Sequence, residues 1–233
     1  MKYHLSIFWN ILKQALAYML VPGVLYLIYY LVLIIFNLPE LNEQINALLL
    51  DALILITVIY YFRLNTPEKI RELFYEKLSL KKILSLIPLS ILVRVPLLIL
   101  VVVMVVLFGD TFMNTIDEGV SYQWEGFTDL TGLGYIVAIL SFSVLGPIHE
   151  ELFFRGVIYN YLKRYYNIRT SIIYSTVVFT LFHIHPGLYP SSFILGLFLV
   201  LVYQKWNNLS YSIILHMLIN LHPFLIDFIS SKV

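Results

Sequence analysis

Seven runs of apolar residues, broken by very little charge, leave this chain few places to fold other than inside a lipid bilayer. They fall near Ala15–Phe36, Ala47–Phe62, Ile83–Phe108, Gly134–Leu162, Thr170–His183, Ser191–Tyr203 and Leu209–Phe228. A helix needs about 20 residues to cross the hydrocarbon, at a rise of about 1.5 Å per residue. The fifth and sixth runs are short, which suits helices enclosed by others. Of 233 residues, 60% are hydrophobic and 12% charged, and the mean hydropathy is +0.86. A soluble domain carries about 25% charged residues. In water this chain could not cover its apolar surface, so the expected fold is all-α, a polytopic transmembrane helix bundle. Residues 1–233 read as one integral-membrane domain, with no repeat or linker. The chain has no cysteine, which excludes disulfides, thiolate catalysis, Cys-bound zinc and S-acylation.

Charge segregates along this map. One side collects Lys2, Lys13, Arg63, Lys69, Arg71, Lys77, Lys81, Lys82, Lys163, Arg164, Arg169 and Lys205; the other collects Glu40, Glu43, Asp51, Asp110, Asp117, Glu118, Glu125, Asp129 and Asp227. Lys232 departs from the pattern, and Arg94 and Arg155 fall within spans. The positive-inside rule then places the N-terminus in the cytoplasm and the C-terminus outside. The first run is longer than the roughly 7–15 apolar residues of a signal peptide and reads as a retained anchor. Thr66-Pro67-Glu68 has the composition of a helix start. Ile70, Leu73, Phe74 and Leu78 follow on one face among basic residues, as in an interfacial helix, or else a plain amphipathic connector. The segment Gly109–Leu133 reads as an acidic outer loop anchored by Trp124 and Phe127.

Within the fourth run stands Glu150-Glu151-x-x-x-Arg155. Each charge at the bilayer centre costs roughly 2.5–3.5 kcal/mol on insertion scales, so three within six residues imply a function or a partner. Later runs carry Phe179-x-x-x-His183 and His216-x-x-x-Asn220. Residues four apart share a helix face, so Glu151 can pair with Arg155, while Glu150 is rotated by roughly 100°. Counting from the cytoplasmic helix ends puts Glu150 roughly 18 Å deep, His183 roughly 20 Å, His216 and Asn220 roughly 10–17 Å and Arg94 roughly 17 Å. Shared depth permits one site. Arg94 is expected to help neutralise Glu150 or Glu151, whereas His149, His185 and His222, near segment ends, read as structural.

In this order on successive segments, the three motifs resemble the CPBP family: CAAX prenyl endopeptidases of the Ras-converting type and bacteriocin-processing enzymes, also called Abi. The resemblance spans about Gly134–Leu221. It implies an intramembrane endopeptidase, in which Glu150 activates a water with help from His183. His216 and Asn220 would stabilise the oxyanion, while Glu151, Arg155 and Phe179 support the arrangement. The chemistry is coherent, since peptide hydrolysis needs a base and donors aimed where negative charge develops. The cofactor is left open: none beyond water, or a divalent metal such as zinc on Glu150, His183 and His216. His149-Glu150-x-x-Phe153 lacks the second histidine of the zinc-protease motif. Two other classes stay in view, a regulatory scaffold of the same fold and a transporter. The expected partners are a peptide or membrane-associated protein substrate and the bilayer, with no nucleic acid; maturation of a peptide or lipoprotein-like substrate, or bacteriocin immunity, is the expected context. Residue usage rich in Ile, Leu, Tyr, Asn and Lys points to a prokaryotic plasma membrane.

Overall fold

The computed structural model describes residues 2–39, 43–65, 72–74, 76–124 and 132–230. Nine helical elements can be drawn from them: α1 (Lys2–Ile35), α2 (Glu43–Asn65), α3 (Leu80–Leu92), α4 (Arg94–Phe108), α5 (Asp110–Trp124), α6 (the continuous helical stretch 133–162), α7 (Ile168–Leu181), α8 (Tyr189–Trp206) and α9 (Leu209–Ser230). Among the described residues there is no strand. Five stretches are long and apolar enough to cross a membrane: Leu5–Ile35, Leu80–Phe108, Leu133–Leu162, Pro186–Trp206 and Leu209–Ile226. Two shorter apolar helices, Ile45–Tyr61 and Ile168–Leu181, complete the seven runs expected.

The differences from expectation have local causes. The first helix begins at Lys2, well before Ala15. The third run divides at Val93 into α3 and α4, because Pro96 supplies no amide to the carbonyl four residues before it. Asp110–Trp124 is helical rather than a loop, opening directly after Gly109, whose φ of 61° is open to glycine at little cost. Phe127 and the rest of 125–131 lie outside the described residues, as does the helix start Thr66-Pro67-Glu68 with Lys69, Ile70 and Arg71. Leu73, assigned from sequence to an interfacial face, is buried in the protein core instead.

The bundle has an inner and an outer part. Leu152, Phe153, Phe154, Val157, Ile158 and Tyr159 of α6 are all buried, packing with Phe179 of α7, Val200 and Tyr203 of α8 and Ile213 of α9. By contrast α4 buries none of its residues and α1 exposes most of its large apolar side chains, as lipid-facing helices do. Tight turns join the inner helices. Asn167 Oδ1 accepts from the Thr170 amide at 3.0 Å to start α7. Asn207, at φ 44°, ends α8, and Asn208 Oδ1 accepts from the Ser210 amide at 2.8 Å.

Helix α5 closes over the turn Pro186–Leu188 between α7 and α8. The approach needs glycine: a Cβ on Gly187 would stand 2.0 Å from the Thr115 carbonyl oxygen. Gly187→Ala is therefore expected to push α5 off the turn at a cost of about 1–3 kcal/mol. Denaturant titration in mixed micelles would measure it, with an unchanged midpoint contradicting this packing.

Candidate active site

The motif helix α6 is not a regular α-helix. Its segments Ile139–Leu145 and Leu152–Tyr159 are π-helical, and the α-helical turn Gly146–Glu151 between them carries both glutamates. Such wide turns are rare and are often found at functional sites.

Glu151 is fully buried. Its Oε1 accepts from Arg155 Nη1 at 2.7 Å and from His216 Nδ1 at 3.0 Å, and its Oε2 accepts from the Ser212 hydroxyl. Arg155, also buried, donates from Nη2 to the Gly196 carbonyl at 3.0 Å and lies over the Phe179 ring, its Cζ 4.5 Å from the centroid. A Cβ on Gly196 would meet Phe179 Cδ1 at 2.8 Å, so glycine lets α8 come close enough for that carbonyl to reach the guanidinium. Acid, base, hydroxyl and imidazole thus tie α6, α8 and α9 around a buried charge pair. Breaking one partner of such a pair leaves the other charged and stranded.

Glu150 differs from its neighbour. Its side chain is 26% exposed, and its Oε2 has no hydrogen-bond partner. His216 Nε2 stands 3.9 Å from that oxygen, beyond direct hydrogen-bond reach. Glu150, His183, His216 and Asn220 all line one cavity of about 390 Å³, with Arg94 and Asp51 also in its wall. That volume lies within the usual range for ligand sites, about 300–1,000 Å³. His183 sits in a bend two residues past the end of α7, not within the helix. The extended conformation of His185, which precedes Pro186, explains why the helix cannot run further. His183 Nδ1 is 3.0 Å from the Phe179 carbonyl, so this nitrogen carries the proton and Nε2 is bare. In neutral His216 the donation from Nδ1 to Glu151 likewise leaves Nε2 bare. The Asn220 amide donates to the Phe142 carbonyl at 3.0 Å.

One expectation needs correction. Arg94 contacts neither glutamate; it donates from Nε to His222 Nδ1 at 3.1 Å and from Nη2 to the Ile219 carbonyl at 3.3 Å. It sits on α4, and the donors satisfying Glu151 all come from α6 and α9. The set Glu150, His183 and His216 does not fit a metal: among the described residues no three Asp, Glu or His side chains come together as a metal-holding group.

A second polar chain was not anticipated. Tyr18 Oη is 2.8 Å from His149 Nδ1, His149 Nε2 is 3.2 Å from Asp51 Oδ1, and the Ser141 hydroxyl donates to Asp51 Oδ2. The signal lay in the sequence: Asp51 falls inside the second apolar run, and His149 adjoins the glutamates. Their meeting depends on how α1, α2 and α6 pack.

Residues 132–222 match the family model described as Type II CAAX prenyl endopeptidase Rce1-like. All three motifs lie within that region, so the resemblance seen in the sequence is borne out over α6 to α9. At the level of the family the match supports a CAAX-type intramembrane protease, with a peptide or protein as substrate. No curated protein and no solved structure matches the chain.

Glu151→Gln keeps the shape of the side chain but strands Arg155, and is expected to cost about 3–5 kcal/mol. Unfolding in mixed micelles checks this; a loss under about 1 kcal/mol would mean that the pair does not hold the inner helices together.

Proposed function

We propose that the protein is an intramembrane endopeptidase of the CAAX-protease type that hydrolyses its substrate in the cavity lined by Glu150, His183, His216 and Asn220. The observation carrying this reading is the contrast between adjacent glutamates: Glu151 is saturated with donors, whereas Glu150, which lines the cavity, keeps a buried oxygen with no hydrogen-bond partner. A general base needs such a free lone pair.

In this reading a water held between Glu150 and the bare Nε2 of His183 gives its proton to Glu150, and its oxygen attacks the scissile carbonyl carbon. The carbonyl π pair moves to oxygen, forming the oxyanion. His216, in its imidazolium form, and the second N–H of Asn220 donate to that oxygen. Glu151, bonded to His216 Nδ1, fixes the orientation of the ring, as a buried carboxylate does for an imidazole in other hydrolases. When the C–N bond breaks, the proton on Glu150 passes to the leaving nitrogen, and the carboxylate is restored. No step is routed through a metal, because the donor set does not fit one.

The biological context follows from the same chemistry. A site among apolar helices suits a peptide or lipoprotein-like substrate already at the membrane, in maturation of a secreted peptide or in immunity to a bacteriocin. The charge pattern supports a cytoplasmic N-terminus and an outer C-terminus, and the Ile-, Leu-, Tyr-, Asn- and Lys-rich usage supports a prokaryotic plasma membrane.

Glu150→Gln is expected to lower cleavage by about 10²–10⁴-fold while the protein is still made and folded. Peptide profiling of cells carrying either form would reveal substrate and cut site together, and chelators should leave the wild-type rate unchanged. Undiminished cleavage in the glutamine variant would falsify the assignment.

A further inference from the structure

The cavity wall contains a proline whose consequence falls on Arg94. Pro223 lies inside α9 and has no N–H, so the Ile219 carbonyl four residues earlier loses its intrahelical donor. In a membrane interior no bulk water is at hand to replace that bond. Arg94 Nη2 donates to this carbonyl at 3.3 Å. The guanidinium is itself held: Nε donates to His222 Nδ1 at 3.1 Å, His222 Nε2 stands 3.2 Å from Ser90 Oγ, and Ser90 Oγ donates to the Ile87 carbonyl at 2.7 Å. These bonds run in one direction, from α4 through α9 to α3, and make His222 the Nε2–H tautomer.

The neighbouring carbonyl is managed from the other side. Ser143 Oγ, in the first π-helical segment of α6, donates to the Asn220 carbonyl at 3.1 Å, while the Asn220 side chain reaches the Phe142 carbonyl. The proline break in α9 is therefore clamped between α4 and α6 at the residues on either side of the Ile219–Asn220 bond. His216 is three residues before Ile219, so the set of this break fixes where both His216 and Asn220 stand relative to Glu150.

We propose that Arg94 is a positioning residue of the site: it supplies the hydrogen bond that Pro223 removes, and so holds α9 in the shape that aims His216 and Asn220 into the cavity. The kinetic side of this proposal rests on the endopeptidase reading; the structural side does not.

The test is a double-mutant cycle. Arg94→Met is expected to lower kcat about 10–100-fold with KM changed less than about threefold, the signature of misplaced groups rather than lost substrate affinity. Pro223→Ala returns an amide to the Ile219 carbonyl, so Arg94→Met/Pro223→Ala should recover most of that loss. Failure to recover in a folded double variant overturns the proposal. So does a loss confined to peptides bearing a free C-terminal carboxylate and absent from their amidated forms, which would make Arg94 a substrate contact. Should the double variant not fold, Arg94→Lys, which keeps a donor for the carbonyl, is expected to retain more activity on amidated peptides than Arg94→Met; equal loss overturns the proposal.

A second readout needs no turnover. In protein labelled with ¹⁵N-asparagine, the Asn220 side-chain amide, identified by its absence in Asn220→Asp, should shift in Arg94→Met and return in the double variant. An unmoved Asn220 signal in Arg94→Met counts against the positioning role. If wild-type protein cleaves nothing, the endopeptidase reading fails, while this signal still decides what Arg94 does.

Discussion

A carboxylate with no route to water governs the inner bundle. Glu151 is wholly buried among helices that themselves face lipid, and an isolated charge there is untenable. Its donors come from Arg155 one turn along its own helix and from Ser212 and His216 of α9; Arg155 then reaches the Gly196 carbonyl on α8 and the Phe179 ring on α7. Four helices are thereby held in one rotational and axial setting. Apolar packing alone would specify it poorly, because lipid tails compete for the same surfaces without a hydrophobic penalty. Polar bonds that exist in a single arrangement supply the specificity.

The two π-helical segments of α6 extend this logic. A turn closed by i→i+5 bonds is wider than an α-turn and shifts the face that later residues present. The first such segment carries Ser141 and Ser143, whose hydroxyls serve Asp51 of α2 and the Asn220 carbonyl of α9. The second carries Arg155 and packs Phe153 and Phe154 against Tyr18 of α1, with ring centroids 4.0 Å and 6.0 Å apart. The polar anchors of α6 and its apolar face thus diverge within a few residues, and between them Gly146–Glu151 stays α-helical, keeping Glu150 and Glu151 on different faces.

Much of this was legible in the residues. Apolar run length located the helices, because the bilayer imposes a length that composition must meet. The pairing of Glu151 with Arg155 follows from spacing alone. What was not legible depends on rotation about helix axes. Arg94 lies at the depth of the glutamates, yet depth does not say that its guanidinium turns towards α9, nor that a proline there has left a carbonyl wanting a donor. Tyr18, Asp51 and His149 stand far apart in the chain, and their meeting is a property of packing. The helical state of Asp110–Trp124 was masked by its polarity, since an acidic stretch between two spans reads as a loop until its docking on the Pro186–Leu188 turn is seen.

Three acids of the inner bundle are held in unlike surroundings. Asp51 meets a hydroxyl and an imidazole, and Glu151 meets a guanidinium, an imidazole and a hydroxyl. Each of these bonds ties up lone pairs that could otherwise accept a proton. Glu150 lies between them in the same wall, and its Oε2 is given no donor by the protein. A bundle built only for stability would gain nothing by leaving a carboxylate in that condition, because an unmet buried acceptor is a cost. The cost is tolerable where the missing partner is a water or substrate, which is the role proposed for the cavity that Glu150 lines.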